Sequence, residues 1–210
     1  MSTLLLVLFS CITVAVCAGL FVLYLLSGRK STVTLTKRLT FTAVLTALAV
    51  IFNVFTIQTG VKYFVISFTA LPCFVAGFLL GPVEGFAVGF LGDLLGSLIH
   101  PFGAYMPLVG IASGLWGFVP GCLMRTGRNG FVYYLLKTIA SYILCVLMCT
   151  AFLNTYSLYL VYGSGKTYWA YLIVRFPLQT AVAVINAVLS VCLTVAVTKI
   201  RYVNNLFALN

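Results

Sequence analysis

Acidic residues are almost absent from this sequence, which has two of them among its 210 residues. Charged residues of both signs make up 7% of the chain and hydrophobic residues 63%, a balance that excludes an ordinary soluble domain. Histidine occurs once, and the sequence contains neither a Cys-x-x-Cys pair nor the Gly-x4-Gly-Lys-[Ser/Thr] phosphate loop. We therefore predict no catalytic residue, no metal site and no cofactor in this chain, and we do not expect an enzyme.

Long apolar runs take the place of charged segments. Several exceed about 18 residues, the length at which a helix crosses a bilayer. The first run has neither a charged n-region nor a small-residue cleavage motif, so it favours a signal anchor or an extra helix over a cleaved signal peptide. We predict an all-α integral membrane protein, with an extra transmembrane segment and basic linker at 1–30 and a six-helix membrane domain at 31–210. The predicted spans are roughly 3–27, 37–58, 63–81, 84–99, 104–124, 131–160 and 168–200.

Basic residues give the chain a formal net charge of +10, and their positions indicate its orientation in a membrane. Nine lie at breaks on one side of the predicted bundle, two lie on the other side, and one lies within a span. Cytoplasmic loops carry such an excess, so we predict the N-terminus outside and the C-terminus in the cytoplasm. This placement gives no support to nucleic-acid binding. The nine are Arg29, Lys30, Lys37, Arg38, Arg125, Arg128, Lys137, Lys199 and Arg201, and the two are Lys62 and Lys166.

The stretch 77–105 holds both acidic residues, Glu84 and Asp93. Four glycines recur there at i, i+4, i+7 and i+11, so a helix would align them in one smooth stripe that another helix can approach closely. Asp93 lies at the edge of this stripe. A carboxylate in apolar sequence costs on the order of several kcal/mol unless it has a partner, which makes Asp93 a candidate for a functional site. The glycines are Gly85, Gly89, Gly92 and Gly96.

Polar residues share one predicted face of the last span. Arg175, Gln179 and Asn186 are spaced at i, i+4 and i+11, and Pro177 interrupts the backbone hydrogen bonds beside them. One interpretation is a cavity with a polar lining near the outer side. The other is that Arg175 extends along its helix to the lipid headgroups. Three polar residues on one face favour the cavity.

Asn154 lies deep in the 131–160 span, and three tyrosines crowd the outer end of that span. Rings at this depth are typical of an interfacial aromatic belt. They are equally typical of a surface on which a flat ligand stacks, and the sequence leaves both interpretations open. The tyrosines are Tyr156, Tyr159 and Tyr162.

The second predicted span has two distinct faces. Thr42, Thr46 and Asn53, at i, i+4 and i+11, form a mildly polar face. Ala43 and Ala47 form a smooth face, and a small-x-x-x-small pair is typical of close helix contact in membranes. We therefore treat the two alanines as a candidate surface for a partner helix.

Seven short motifs along the chain form a recognisable set. They are Ile66–Pro72, Gly77–Pro82, Gly92–Gly96, Pro101–Tyr105, Leu153–Tyr156, Tyr162–Gly163 and Arg175–Gln179. Together they resemble the substrate-binding S component of energy-coupling-factor (ECF) vitamin transporters, and they are most similar to its folate-specific branch. The resemblance covers nearly all of residues 37–200, and the block Gly-Asp-Leu-Leu-Gly followed by Pro-Phe-Gly-Ala-Tyr is its most specific part.

This resemblance implies a six-helix fold in a bacterial plasma membrane that binds folate from outside. It also implies a transmembrane coupling subunit that docks on the first core helix, where Ala43 and Ala47 lie, and two ATPase subunits that use the ATP. An S component for another vitamin or precursor, such as pantothenate or a pyrimidine, is an alternative with the same architecture. A membrane scaffold that transports nothing is an alternative from another class.

A folate ligand would give the polar residues specific roles. Asp93 would accept two hydrogen bonds from the pterin edge, or it would instead pair with Arg175. Lys62 and Arg175 are candidate cations for the glutamate tail, and Tyr105 is a candidate for stacking on the rings. The folate branch often has an arginine directly before Ile-Ser-Phe, whereas this chain has Val65 there and Lys62 nearby. The expected substrate contacts are Lys62, Asp93, Tyr105, Asn154, Arg175 and Gln179.

Overall fold

The computed structural model describes residues 3–26, 34–58, 65–101, 105–126, 131–162 and 168–199. They form a bundle of α-helices with one short antiparallel strand pair, which confirms the predicted all-α fold. The helices are α1 (Thr3–Leu26), α2 (Leu35–Val54), α3 (Ala70–Leu79), α4 (Pro82–Ile99), α5 (Pro107–Arg125), α6 (Phe131–Cys145), α7 (Thr155–Tyr162) and α8 (Tyr168–Lys199). The π-helical segment Val146–Asn154 joins α6 to α7, and β1 (Ile57–Gln58) pairs with β2 (Val65–Ile66).

Five of the described helical stretches are long and apolar enough to cross a membrane. The shorter apolar helices are Cys11–Leu26, which belongs to α1, and α3. Large apolar side chains project outward from α2 and α8, as expected for surfaces that face lipid. The five stretches are Leu35–Val54, Pro82–Ile99, Pro107–Arg125, Val132–Tyr159 and Arg175–Val197.

Helices α2 and α4 run in the same direction. Arg38 forms an ion pair with Glu84 near their starts, and Asn53 lies beside Gly96 near their ends. We name the two ends of the bundle after the two acidic residues. The Glu84 end holds the starts of α2, α4 and α6, and the Asp93 end holds the ends of α2, α4 and α7 together with the starts of α3, α5 and α8.

The glycine stripe of α4 contacts two helices rather than one. A Cβ at Gly85 would fall 2.6 Å from a backbone oxygen of α5, and one at Gly89 would also fall against α5 backbone. A Cβ at Gly92 or Gly96 would fall 2.6 Å from side chains of α2 instead. The prediction of close helix approach is therefore confirmed, and the stripe divides between α5 at the Glu84 end and α2 at the Asp93 end.

The third predicted span is shorter than the sequence suggested. We expected a helix over 63–81, but α3 begins at Ala70, and Val65–Ile66 pairs with the strand that follows α2. Ser67 explains the late start, because its hydroxyl accepts a hydrogen bond from the Thr69 backbone N–H at 3.2 Å. Such local side-chain bonds compete with a helix. Most of α3 is buried, so it serves as core rather than as a lipid-facing span.

Aromatic side chains fill the core around α3. Phe74 and Phe78 of α3 pack on Tyr142 and Tyr134 of α6, with ring centroids 5.8 and 5.9 Å apart. Helix α1 lies outside this core and packs on α5, where the ring of Phe21 stacks on that of Phe118 at 6.1 Å. The arrangement leaves the polar residues of the Asp93 end between α2, α4, α5 and α8.

Candidate functional site

Asp93 is the buried carboxylate of the Asp93 end, with 9% of its surface exposed. The Asn53 amide donates to its Oδ1 at 3.1 Å from α2, and Ser113 of α5 is a second hydrogen-bond partner. Both partners are neutral. No ion pair joins Asp93 to Arg175 in the part of the chain that the structure describes, so the ion-pair alternative is not formed here. A buried charge held by neutral groups is suited to accept hydrogen bonds from a ligand.

A chain of hydrogen bonds links the segment after α2 to α8. The Thr56 hydroxyl donates to the Ser67 hydroxyl at 3.5 Å, and the Asn186 amide donates to the Ser67 carbonyl at 3.1 Å. Asn186 is 3% exposed, and its Oδ1 has no hydrogen-bond partner among the described residues. A buried acceptor without a donor is costly, so this oxygen is available to a ligand or a water.

Arg175 is the buried cation of the site, with 9% of its surface exposed. Its Nη1 donates to the Asn154 carbonyl at 3.3 Å, while its Nε has no hydrogen-bond partner within the described ranges. The side chain is enclosed by the bundle, which disfavours the interpretation that it extends to the headgroups. A guanidinium held in this way is suited to bind an anionic group.

The other predicted contacts lie in varied surroundings. Asn154 is half-buried, and its Oδ1 lacks a hydrogen-bond partner in the described part of the chain. Gln179 is half-buried one helical turn after Arg175. Tyr105 lies just before α5, where partial burial raises the pKa of its hydroxyl and the negative charge of Asp93 raises it further. Lys62 lies outside the described residues.

Sequence reasoning assigned no site role to two residues that contact Asp93. Asn53 lies on the mildly polar face of the second predicted span, which indicates a polar contact. The sequence does not identify Asp93 as its partner. Ser113 carries no such indication, because a single serine in an apolar helix is common and usually bonds its own backbone.

At the opposite end of the bundle the charged groups have partners, although Arg38 Nε is, like Arg175 Nε, a buried atom without a hydrogen-bond partner among the described residues. Glu84 forms its ion pair with Arg38, and the Arg125 guanidinium donates to the Leu79 carbonyl at 2.6 Å. That second bond satisfies a carbonyl at the end of α3 that no helix N–H can reach. The contacts at the Glu84 end therefore indicate a role in holding the helices together rather than in binding a ligand.

Ala43 and Ala47 lie on the outward face of α2. Both side chains are exposed, whereas Ala49 on the inner face is fully buried against α4. The outward face is thus free of contacts that would hold it within the bundle, and its small side chains permit close approach by another helix.

An apolar helical bundle that encloses a carboxylate and a guanidinium is typical of a membrane protein with a site for a polar solute. Residues 33–199 match the family model of the ECF-type riboflavin transporter, S component. The chain belongs to this family of S components. Because these proteins are components of transporters, the chain is not an enzyme.

Two solved structures have a similar fold. One is FolT bound with folic acid, at a TM-score of 0.64 and 23% identity, covering 74% of this chain and 93% of that one. The other is the S component of a bacterial ECF transporter, at a TM-score of 0.53 and 17% identity, covering 82% and 99%. At these identities the likeness establishes the fold alone. No curated protein matches the chain.

Proposed function

We propose that this S component binds a folate at the Asp93 end. The observation that carries the proposal is the state of Arg175, a buried guanidinium with an unpartnered Nε and no acidic partner in the described residues. Burial of an unpaired charge costs several kcal/mol, on the order of the penalty for breaking a buried ion pair. A carboxylate of the ligand would offset that penalty.

Folate fits two separate polar regions of the site. Arg175 precedes Asn186 by eleven residues, so about 16 Å of helix axis separates Arg175 from the hydrogen bonds around Ser67. An elongated ligand with a donor-rich ring at one end and carboxylates at the other spans both regions. In this proposal Asp93 accepts from the pterin edge and Arg175 binds the glutamate tail, with Lys62 as a further cation.

Riboflavin is the second candidate, because the family model carries its name. Riboflavin is uncharged and would leave Arg175 without an anion. Pantothenate and pyrimidines remain alternatives: pantothenate has a carboxylate but lacks a flat ring. The scaffold alternative predicts no ligand. It does not explain why the Oδ1 atoms of Asn154 and Asn186 lack hydrogen-bond partners among the described residues.

Calorimetric titration of the purified full chain with folic acid, riboflavin, pantothenate and uracil tests the proposal. We expect folic acid to bind without ATP and far more tightly than the other three. Native mass spectrometry of the freshly purified protein provides a second measurement, in which a bound pterin is expected. Tighter binding of riboflavin or pantothenate would contradict the folate assignment, and the absence of any ligand would favour the scaffold.

We also propose that the face of α2 formed by Ala43 and Ala47 docks on a transmembrane coupling subunit, and that two ATPase subunits supply the energy from ATP. The exposure of both alanines supports this assignment. In this proposal the Asp93 end faces the outside of a bacterial plasma membrane, the N-terminus lies outside and the C-terminus lies in the cytoplasm.

Tryptophan substitutions test the docking face. Ala43→Trp and Ala47→Trp should abolish folate uptake in cells that hold the transporter, while folic acid binding to the purified protein stays unchanged, because added bulk prevents close helix approach. Val188→Trp places the same bulk on an exposed position of α8, 59% exposed, and should leave uptake intact. If the alanine variants still co-purify with a coupling subunit, the docking face lies elsewhere.

A further inference from the structure

The π-helical segment ends at Asn154, and the hydrogen-bond register of the helix changes directly after that residue. In a regular α-helix the Thr155 N–H would donate to the Ala151 carbonyl, but here it donates to Phe152. Side-chain hydroxyls occupy the carbonyls that this change exposes. Tyr168 donates to the Ala151 carbonyl at 2.5 Å, and Thr155 Oγ1 donates to the Thr150 carbonyl at 2.7 Å. The end of the π-helical segment is therefore held by side chains.

Tyr168 is placed to hold this register from α8. Its side chain is 5% exposed, and its ring packs edge-on against Tyr159 with centroids 6.1 Å apart, which fixes the direction of the hydroxyl. Arg175 lies two helical turns further along the same face of α8 and donates to the Asn154 carbonyl. Two side chains of α8 thus contact the π-helical segment, at Ala151 and at Asn154.

The sequence of the π-helical segment does not impose this register by itself. Residues 146–154 contain neither glycine nor proline, and an isolated helix of this composition would prefer the α form. The π register is therefore stabilised by the contacts from α8 and from Thr155 rather than by the local sequence. If they are removed, return to the α register would shift the chain by one residue and rotate the side chains beyond it by about 100° around the axis.

We propose that Tyr168 is a positioning residue for the ligand: its bond to the Ala151 carbonyl maintains the π register and thereby directs the Asn154 amide into the site. The proposal rests on the proposed function in one respect, namely that Asn154 contacts the ligand. In this register the Asn154 side chain is directed into the site, and its Oδ1 has no hydrogen-bond partner among the described residues. Tyr168 itself does not touch the ligand and acts through Asn154.

Thiol labelling tests the positioning without any ligand. Asn154→Cys places a thiol at the site, and a charged, water-soluble methanethiosulfonate reagent modifies it at a rate that mass spectrometry of the peptide reports. Adding Tyr168→Phe should change this rate at least about fivefold, because a rotation of about 100° moves the thiol into different surroundings. Thr155→Val should act in the same direction. Equal rates in all three proteins would overturn the proposal.

Tyr142→Phe is the matched control. The Tyr142 hydroxyl is also buried and bonds Ser190 at 2.6 Å, so its loss removes a comparable hydrogen bond from a different helix contact. We expect Tyr142→Phe to leave the labelling rate at position 154 unchanged. A similar change in rate for Tyr142→Phe and Tyr168→Phe would indicate a general effect on the bundle and would contradict a positioning role.

A double-mutant cycle with folic acid tests the link to binding. Tyr168→Phe should weaken folic acid binding by about three- to tenfold, the range expected for one buried hydrogen bond. In an Asn154→Ala background the same substitution should have a smaller effect, since Tyr168 acts through the Asn154 side chain, whereas the position 154 carbonyl that Arg175 contacts is retained. Additive losses would overturn the proposal. If the unmodified chain does not bind folic acid, the proposed function fails and the labelling experiment alone decides the role of Tyr168.

Discussion

The two halves of α4 each carry one of the two acidic residues, yet they are held in opposite ways. In the first half Glu84 has an arginine partner, and Gly85 lies against the backbone of α5. In the second half Asp93 has neutral partners, and Gly96 lies against the side chain of Asn53. The first half is fixed by a charge pair and by backbone contact, and the second half by contacts with the side chains of α2.

In the proposed function, this difference allows one helix to serve both stability and binding. Backbone atoms cannot change rotamer as side chains do, so the packing of α4 on α5 holds these two helices in a fixed relative position. Asn53 can move away from Asp93 without changing the packing of α4 on α5, because its contact with Asp93 is made by side chains. The carboxylate can then exchange an amide donor for the donors of a ligand at little cost to the fold.

Substitution of the two acids provides the largest expected contrast. Asp93→Asn should weaken folic acid binding by about 10- to 150-fold, because it removes the charge from a hydrogen bond worth about 1.5–3 kcal/mol. Glu84→Gln should leave binding unchanged and lower the free energy of unfolding by about 1 kcal/mol or less, as expected for a partly exposed ion pair. Titration calorimetry and thermal unfolding of both variants measure the two effects. Equal loss of affinity in both variants would remove the distinction between the two halves.

Glycine substitutions sharpen the comparison of the contacts. Gly89→Ala should destabilise the protein by about 1–3 kcal/mol, because the new methyl group would meet the backbone of α5. Gly96→Ala would meet only the Asn53 side chain, so we expect a smaller loss of stability and a roughly threefold loss of folic acid affinity as Asn53 leaves Asp93. Thermal unfolding and calorimetry separate the two outcomes. A larger stability loss for Gly96→Ala would contradict this account.

Removal of the first helix should have the smallest effect. A chain that begins with Met followed by Ser31 lacks α1, which packs on α5 and on the cluster that α5 forms with the π-helical segment. We expect this chain to insert and to bind folic acid with the affinity of the full chain, as measured by calorimetry. Loss of insertion would assign a topological role to the first helix. Normal insertion with lost binding would show that the first helix contributes to the site.

The sequence predicted the glycine contacts of α4 but not their division. Spacing at i, i+4, i+7 and i+11 is a local property, so it was visible in the sequence. The partners are two different helices because the stripe winds around α4 as it passes from α5 to α2, and that arrangement depends on the whole bundle. Asn53 was visible as a polar residue for the same local reason, while its pairing with Asp93 was not.

Two other features were outside the reach of sequence reasoning. The apolar run at 63–81 has the length of a span, and its replacement by a strand pair and a short helix depends on hydrogen bonds around Ser67. The π-helical segment has the composition of an ordinary helix, and the hydroxyl of Tyr168 that supports it comes from another helix. The first feature depends on local side-chain bonds and on strand pairing, and the second on a contact between helices, and hydrophobic periodicity reports none of these.

The central claim is that Arg175 binds the anionic tail of a folate while the carboxylate of α4 binds its ring. Calorimetric titration of the unmodified chain and of Arg175→Ala with folic acid and with 6-hydroxymethylpterin, which has no carboxylate, tests it most directly. The account predicts that Arg175→Ala weakens folic acid binding by about 10- to 150-fold, equivalent to about 1.5–3 kcal/mol, and leaves the pterin affinity unchanged. Equal effects on the two ligands, or no effect on either, would contradict it.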